Sequence, residues 1–463
     1  MTTFDILHLT KGAKVHFIAI GGISMSGLAE ILLKQGVSVS GSDIKASKLT
    51  QKLEKMGAEI HIGHDKNNVR DPDLVVYSAA IKPDNPEILA AKEKNIPIID
   101  RATLLGGIML GFNKSICVSG THGKTTTTSM IAQILMEAGV DPTVSLGGEL
   151  DAIGGNIRTG NSEYFLCEAC EYCGSFLKFS PLVNVILNIE EDHLDYFKDI
   201  NHIKETFKDY ALKTRPGGVI VANFDDENVK SALCGIQRDI YTFGFCENCD
   251  FYAKNIKFNA FGNATFDVFE KGKKLFEVTL KVPGQHNVLN ALAAVSACKF
   301  LGISDADILK GLSVFAGTHR RFEIKGSVKG AKIIDDYAHH PTEIEATLNA
   351  VKKIPHKRRF LVFQPHTYTR TLALFDEFVK VFENEEHVII CDIYSAREAD
   401  NHLVSSKDLA EKIPNGMYLA TFSECAKYLW DNIGEGDVVL TIGAGDVYEV
   451  GEILLKYECA LHK

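Results

Sequence analysis

The sequence contains no apolar run approaching the ~18 residues needed to cross a bilayer, so no membrane-spanning protein is expected. It has no excess of positive charge either. Fifty Lys and Arg stand against 60 Asp and Glu, a net charge of −10. That balance argues against a general nucleic-acid binder and leaves room only for a local basic groove. The stretch from Met1 to Lys14 lacks a basic start followed by an apolar segment, and no export signal is expected there. Internal repeats and low-complexity linkers are also missing. The 11 cysteines, in a large chain without an export signal, read as reduced thiols, and a cytoplasmic location is the expectation.

What is present is the ordinary mixture of a globular protein, 45% hydrophobic and 24% charged, in 463 residues. At about 150 residues per domain this length suggests roughly three domains. Short β-rich runs alternate with helical stretches: strands at Val15–Ile20 and Val37–Ser40 flank a helix at Ser24–Gln35, with further strands at Leu74–Ser78 and Ile96–Ile99. This βαβ rhythm predicts an α/β protein with parallel sheets. The glycines from Leu105 to Phe112 suggest a hinge into a second part. A β-rich stretch at about 241–280 predicts hairpins, and a helix is expected at Asn287–Leu301. Beyond His319, strands at Ala331–Asp335, Phe360–Gln364, Val388–Cys391 and Val438–Ile442 alternate with helices at Pro341–Ile354, Thr371–Phe382 and Val447–Tyr457. The expected divisions are residues 1–107, 108–318 and 319–463.

The strongest local signal is Gly120-Thr121-His122-Gly123-Lys124-Thr125-Thr126, which follows the strand Ser115–Ser119 and opens a helix. Glycines there turn backbone N–H groups toward an anion, and the helix N-terminus adds its dipole. Lys124 is placed to reach β- and γ-phosphates and Thr125 to put its hydroxyl on Mg²⁺. The loop is shorter than the G-x-x-x-x-G-K-[ST] pattern, whose first glycine would fall at Val118. Glu168 ends a strand at Tyr164–Glu168, and His193 lies just past a strand at Val183–Ile189. Carboxylate and imidazole at such strand ends are candidate Mg²⁺ ligands, although imidazole is an unusual choice for so hard a cation.

Gly21, Gly22 and Ser26 lie in a turn between the first strand and helix, with Asp43 about twenty residues on. The arrangement imitates a dinucleotide fingerprint, but Ala19 breaks its glycine spacing, and a diphosphate cradle without redox chemistry suits it better. Cys167, Cys170 and Cys173, with Cys246 and Cys249, are spaced as zinc or iron–sulfur ligands are. No fourth ligand falls at Leu177, so packed thiols are the favoured reading. His339, His340 and Glu343 form another conceivable zinc set. Arg320 and Arg321 could reach phosphates across a cleft.

In order along the whole chain, these motifs resemble the Mur ligase family of peptidoglycan synthesis. The resemblance rests on Gly21–Gly27, Gly120–Thr128, Glu168, Glu190–Leu194, Gly284–Asn290, Arg320–Glu323, Asp335–Glu343, Phe363–Thr371 and Gly443–Asp446. It implies a Rossmann-like N-terminal domain for a UDP-sugar, a central P-loop ATPase domain and a Rossmann-like C-terminal domain that closes on both. It implies ATP and Mg²⁺ as cofactors, with Lys124, Thr125, Glu168 and His193 serving phosphates and metal. Asn287 and Asn290 match adenine-side positions, Arg321 a phosphate contact and Asp336 a ribose contact. Tyr337, His366 and Arg370 match positions near an incoming amino acid, with His366 a candidate base. Gly21, Gly22, Ser26 and Asp43 fall in the UDP-sugar site.

The branch most resembled joins L-alanine to the lactyl carboxylate of UDP-N-acetylmuramate through an acyl phosphate. A recycling ligase that adds a whole tripeptide is the runner-up. Small-molecule substrates, no nucleic acid, no membrane and a monomer or weak homodimer are the expected partners and state. The chain departs from the family stretch Glu-Ala-Asp-Glu-Ser-Asp, reading Glu168-Ala169-Cys170-Glu171-Tyr172-Cys173. Some relatives carry a carbamylated lysine. Lys204 is the nearest candidate, and no role is assigned to it. A nicotinamide-dependent oxidoreductase would leave Gly120–Thr126 unexplained, and a non-catalytic ATP switch would hydrolyse without regard to amino acid.

Overall fold

A computed structural model describes residues 12–461 except 79, 195, 397 and 401. The expectation concerning an export signal falls largely on residues 1–11, outside the described residues. Among the described residues no helix is long and apolar enough to cross a membrane. The chain forms two compact units, Met1–Ile189 with Lys204–Phe243 and Ala293–Gly311, and Glu190–Ile203 with Gly244–Leu292 and Leu312–Lys463.

The first unit begins with β1 (Lys14–Ile18), α1 (Ile23–Lys34), β2 (Ser38–Asp43), α2 (Lys48–Lys55), β3 (Glu59–Ile62), β4 (Leu74–Tyr77), α3 (Pro86–Glu93) and β5 (Ile98–Asp100). The strands form a parallel sheet in the order β3-β2-β1-β4-β5, the Rossmann-like arrangement expected. Val15, Phe17 and Ile18 on β1 are buried, as a strand with neighbours on both sides requires. Helix starts follow local chemistry: the Ser47 side chain caps α2 in a capping box, and Asp100 caps α4 (Arg101–Leu110) by accepting from Thr103 N–H at 2.8 Å.

The hinge expected at Leu105–Phe112 is instead mostly this helix. A Cβ on Gly106 would lie 2.3 Å from the Lys178 carbonyl oxygen. The glycine therefore serves close packing, not bending. Arg215 fastens the helix end, donating to the carbonyls of Met109, Phe112 and Ser180 at 3.1, 2.9 and 2.7 Å.

The unit continues with β6 (Lys114–Ser119), α5 (Lys124–Glu137), β7 (Thr143–Leu150), β8 (Gly155–Arg158), β9 (Tyr164–Glu168), β10 (Val183–Ile186), α6 (Ile200–Leu212), β11 (Val219–Asn223), α7 (Glu227–Leu233) and β12 (Ile240–Gly244). The strand order here is β12-β11-β10-β6-β9-β7-β8, parallel except for β8. β6 lies between β10 and β9, so Ser115 to Ser119 are all buried and the loop after β6 opens at the carboxyl end of the sheet.

In the second unit β13 (Phe251–Phe258), β14 (Asn263–Glu270) and β15 (Lys273–Pro283) form the antiparallel hairpins expected near 241–280. After α8 (His286–Phe300) and α9 (Asp305–Val314) come β16 (Glu323–Val328), β17 (Ala331–Asp336), α10 (Pro341–Lys352), β18 (Arg359–Phe363), α11 (Tyr368–Ala373), α12 (Phe375–Phe382), β19 (Val388–Ile390), α13 (Ser406–Lys412), β20 (Gly416–Tyr418), α14 (Phe422–Asn432), β21 (Val438–Ile442) and α15 (Tyr448–Leu461). Their sheet runs β16-β17-β21-β18-β19-β20, with only β16 antiparallel.

Successive strand residues face opposite sides, and helices cover both sides, which makes this sheet doubly wound. Ile334, Leu361, Phe363 and Leu440 pack with Ile344, Leu348 and Phe378, while Ile333, Phe360, Val362 and Val439 pack with Leu429, Val450 and Leu454. The single helix expected at Thr371–Phe382 is two, α11 and α12, broken at Leu374, whose backbone leaves the helical region.

Candidate active site

The loop between β6 and α5 has the geometry its residues predict. Gly120 (φ 137°) and Gly123 (φ 81°) hold left-handed backbone, and a Cβ on Gly120 would meet the Leu187 Cβ at 2.9 Å. Gly123 is the N-cap of α5, so the positive end of the helix dipole and the N–H groups of its first turn face the loop. Asn188 clamps the loop: its Oδ1 accepts from His122 N–H at 2.7 Å, its Nδ2 donates to His122 O at 3.1 Å, and its carbonyl accepts from Thr121 N–H at 3.2 Å. Lys124 folds back on its own loop. Its ammonium donates to the carbonyl of Gly120, to that of Thr121 at 3.0 Å, and to the Glu171 carboxylate at 3.2 Å. Thr126 occupies the first turn of α5, half-buried.

Glu168, at the end of β9, reaches this loop as the sequence suggests. Its carboxylate accepts from the Thr125 hydroxyl at 3.1 Å and from Gly147 N–H at 2.6 Å. The residues brought together are therefore Gly120, Thr121, His122, Gly123, Lys124, Thr125 and Glu168, with Asn188, Glu171 and Gly147 added by the structure. Glu171 is only 3% exposed, and its local signal, one glutamate in a short turn, carries no hint of Lys124 as partner.

Cys167 and Cys249 are buried and Cys170 half-buried, as packed thiols would be, whereas Cys173 and Cys246 are exposed. Cys117 and Cys167 are register partners on β6 and β9 with sulfurs 3.5 Å apart. The hydrogen bond to Cys117 and burial push the Cys167 thiol up, and burial pushes Cys170 up to about 11. Among the described residues no cysteine belongs to a group with metal-binding geometry.

In the N-terminal turn, Asp43 accepts from Gly21 N–H at 2.8 Å, and a Cβ on Gly21 would lie 2.8 Å from that carboxylate oxygen. Ser26 is buried and donates to Ile23 O at 2.9 Å, while Gly22 is the N-cap of α1. Ala19 holds φ 66° without the freedom of glycine. Sequence reasoning missed Glu87, a fully buried carboxylate beneath this turn. It accepts from Ser42 Oγ at 2.6 Å and Asn68 Nδ2 at 2.6 Å, with His64 Nδ1 at 3.4 Å and His16 Nε2 at 3.7 Å. Burial works to raise its pKa, but the nearby His16 imidazole and the hydrogen bonds from Ser42 and Asn68 prevail and lower it to about 2.

The second unit gathers Arg321, Asp336, Tyr337, His366 and Arg370 at the carboxyl end of its sheet. Asp336 ends β17 and accepts from Phe322 N–H at 2.9 Å and Ala338 N–H at 2.8 Å. Burial raises its pKa to about 6 against the lowering charge of Arg321. The two arginines divide their work. Arg320 is tied to Asp335 at 3.1 Å and Gly443 O at 2.7 Å and stacks on Tyr337 and Tyr448, whereas the Arg321 guanidinium is more loosely held, with a 3.9 Å ion pair to Glu343 and the face of Tyr337.

Asn287 donates to Pro283 O at 2.7 Å and Asn290 to Asn287 Oδ1 at 3.0 Å, both buried at the start of α8. The adjacent histidines point apart: His340 caps α10, accepting from Thr342 N–H, while His339 pairs with Glu343 at 3.3 Å. Burial lowers His339 to about 4. His193 has φ 54° and its N–H donates to Asp192 at 2.7 Å. Asp192, unmarked in the sequence, holds Arg370 at 2.9 and 3.3 Å, and Arg370 in turn meets His366 Nδ1 at 3.0 Å. Burial works to raise the Asp192 pKa, yet the Arg370 charge, with His193 and His339, keeps it well below the usual range. Burial first, then the charges of His339 and Arg370, lower His366 to about 3.

This loop-and-carboxylate site at the carboxyl end of a parallel sheet defines a class. Three family profiles match in order: the Mur ligase family catalytic domain at residues 14–113, the Mur ligase middle domain at 118–298 and the Mur ligase glutamate ligase domain at 320–445. The chain belongs to the Mur ligase family. It is 54% identical over 461 residues to a UDP-N-acetylmuramate–L-alanine ligase of Acetivibrio thermocellus, covering 98% of each chain. It is 50% identical over 457 residues to the enzyme of that name from Clostridium botulinum, covering 98% of this chain and 99% of that one. Among solved structures, the UDP-N-acetylmuramate-alanine ligase of Thermotoga maritima superposes with a TM-score of 0.80 at 30% identity, covering 96% of this chain and 99% of that one. A murein peptide ligase from Psychrobacter arcticus gives 0.71 at 26%, covering 96% and 98%.

Proposed function

We propose that this chain is an ATP-dependent ligase joining L-alanine to the lactyl carboxylate of UDP-N-acetylmuramate, giving ADP and phosphate, in peptidoglycan precursor synthesis. End-to-end identity of 50–54% with ligases of that name carries the reading. The chemistry fits the residues. A carboxylate resists attack by an amine until it has a better leaving group, and phosphoryl transfer from ATP supplies one as an acyl phosphate. The backbone of Gly120–Gly123 and the N-terminus of α5 would bind phosphates, and Lys124 would leave its carbonyl partners to neutralise them.

Thr125 and Glu168 suit Mg²⁺: a hydroxyl and a carboxylate already 3.1 Å apart offer the oxygen donors a hard cation prefers. Bound there, the ion would offset charge between two anions that must approach. His193 is assigned to the metals on the resemblance, as are Asn287, Asn290, Arg321 and Asp336 to the nucleotide and Gly21, Gly22, Ser26 and Asp43 to the UDP-sugar. Tyr337, His366 and Arg370 are assigned to the amino acid on the same basis. The proposed domain divisions remain near residues 107 and 318, and a cytoplasmic monomer or weak homodimer remains the proposed state.

Phosphate release from Mg-ATP with UDP-N-acetylmuramate tests this, comparing no amino acid, L-alanine and the tripeptide. Release driven by L-alanine, with a product one alanyl unit heavier, is expected. Release only with tripeptide would move the assignment to the recycling ligase, and no release above background would remove the ligase reading.

A further inference from the structure

The second unit contains a chain of three side chains whose hydrogen positions are fixed by chemistry. The guanidinium of Arg370 is donor-only, so the 3.0 Å contact between its Nη1 and His366 Nδ1 requires Nδ1 to present a lone pair. A neutral imidazole with a bare Nδ1 carries its proton on Nε2. Arg370 cannot turn away from this duty easily. It is 10% exposed, and Asp192, 9% exposed, holds its Nη2 at 2.9 Å and its Nε at 3.3 Å. The ring is held on its other sides by Tyr394, stacked at 5.6 Å, and His339 at 5.7 Å.

We infer that Asp192 is a positioning residue which, through Arg370, fixes His366 as the Nε2–H tautomer, so that His366 meets the incoming amino acid as a hydrogen-bond donor to its carboxylate and not as the base that deprotonates its amine. This deepens the proposed function and rests on it for the identity of the acceptor. A base would need a bare nitrogen facing the ammonium, and the bare nitrogen of His366 faces Arg370. A donor held by a charged neighbour suits an anion, and the anionic group every α-amino acid brings is its carboxylate.

Two measurements test the inference, and the first does not depend on the substrate. In two-bond ¹H–¹⁵N correlation spectra of histidine-labelled protein, with the His366 signals identified by their loss in His366→Gln, Nδ1 is expected unprotonated and Nε2 protonated. In Asp192→Asn the two tautomers are expected to mix. Wild-type protein with the proton on Nδ1 would overturn the inference whatever the reaction.

The second measurement compares L-alanine with L-alaninamide. Loss of a hydrogen bond to a charged group is expected to raise KM for L-alanine roughly 10- to 100-fold in His366→Ala. Rates with L-alaninamide should change little, and His366→Gln, which keeps a donor but cannot serve as a base, should restore most of the loss. Asp192→Asn should raise KM for L-alanine, and Asp192→Glu, which keeps the charge that holds Arg370, should restore part of the loss. A kcat fall of roughly 10²- to 10⁴-fold in His366→Gln with both amines would mean that the ring is the base and the inference is wrong. If the tautomer is as stated but no amino acid drives turnover, the proposed function fails while the Asp192–Arg370–His366 relation stands.

Discussion

The Thr125 hydroxyl and the Glu168 carboxylate are hydrogen-bonded at 3.1 Å across the start of α5 and the end of β9. A carboxylate that already accepts from Gly147 N–H is held in place before any cation arrives. Glu168→Gln keeps this shape and removes the charge. Phosphate release is expected to fall roughly 100-fold or more, the scale of losing one electrostatic stabiliser. The Mg²⁺ concentration for half-maximal rate should rise, as titration of magnesium at fixed ATP will measure.

Lys124 is paired with Glu171, and both are largely buried. Glu171→Gln weakens the grip on the ammonium. ADP is expected to bind a few-fold tighter to this variant by isothermal titration, since the lysine has less to leave behind. Lys124→Ala should bind ADP more weakly than wild type.

Arg320 and Arg321 are adjacent and should fail differently. Removing Arg320 strands the buried Asp335, so Arg320→Ala is expected to lose about 3–5 kcal/mol of stability. Arg321→Ala should leave the unfolding midpoint within a degree or two of wild type and weaken ATP binding. Thermal unfolding and nucleotide titration on both variants check this.

Glu87 makes a pH prediction. Its folded pKa of about 2 lies below the ordinary 4.5. The group therefore stabilises the fold above pH 4.5, and that contribution disappears as pH falls from 4.5 toward 2. At about 1.4 kcal/mol per pH unit the shift corresponds to about 3 kcal/mol. Urea unfolding of wild type and Glu87→Gln should differ most near neutrality and converge toward pH 2.

Gly106→Ala places a methyl group against the Lys178 carbonyl. Overpacking of this kind costs about 1–3 kcal/mol. Differential scanning should record a midpoint several degrees lower, with kinetic constants close to wild type in the cold.

The phosphate loop was legible because its chemistry is contiguous: strand, glycines, Lys124, Thr125 and helix follow one another in the sequence. Glu168 was legible because it closes a short apolar strand, and parallel sheets place their chemistry at the carboxyl ends of strands. Asn188, Glu171 and Asp192 were not, since a single polar residue in a turn reveals its partner only after the chain has folded. The same holds for the unequal roles of Arg320 and Arg321, which look alike in sequence. Glycine misled once. At Gly106 it marks a close helix contact, and composition alone does not separate that use from a hinge.

Lys124 is held by carbonyls of its own loop and by the Glu171 carboxylate. An anion drawing on this lysine would have to displace its internal partners, which would take the lysine back when the anion leaves. With the nucleotide proposed above, the loop would act as a spring-return catch: it would hold the phosphates less tightly than a bare cation and reset itself once they leave.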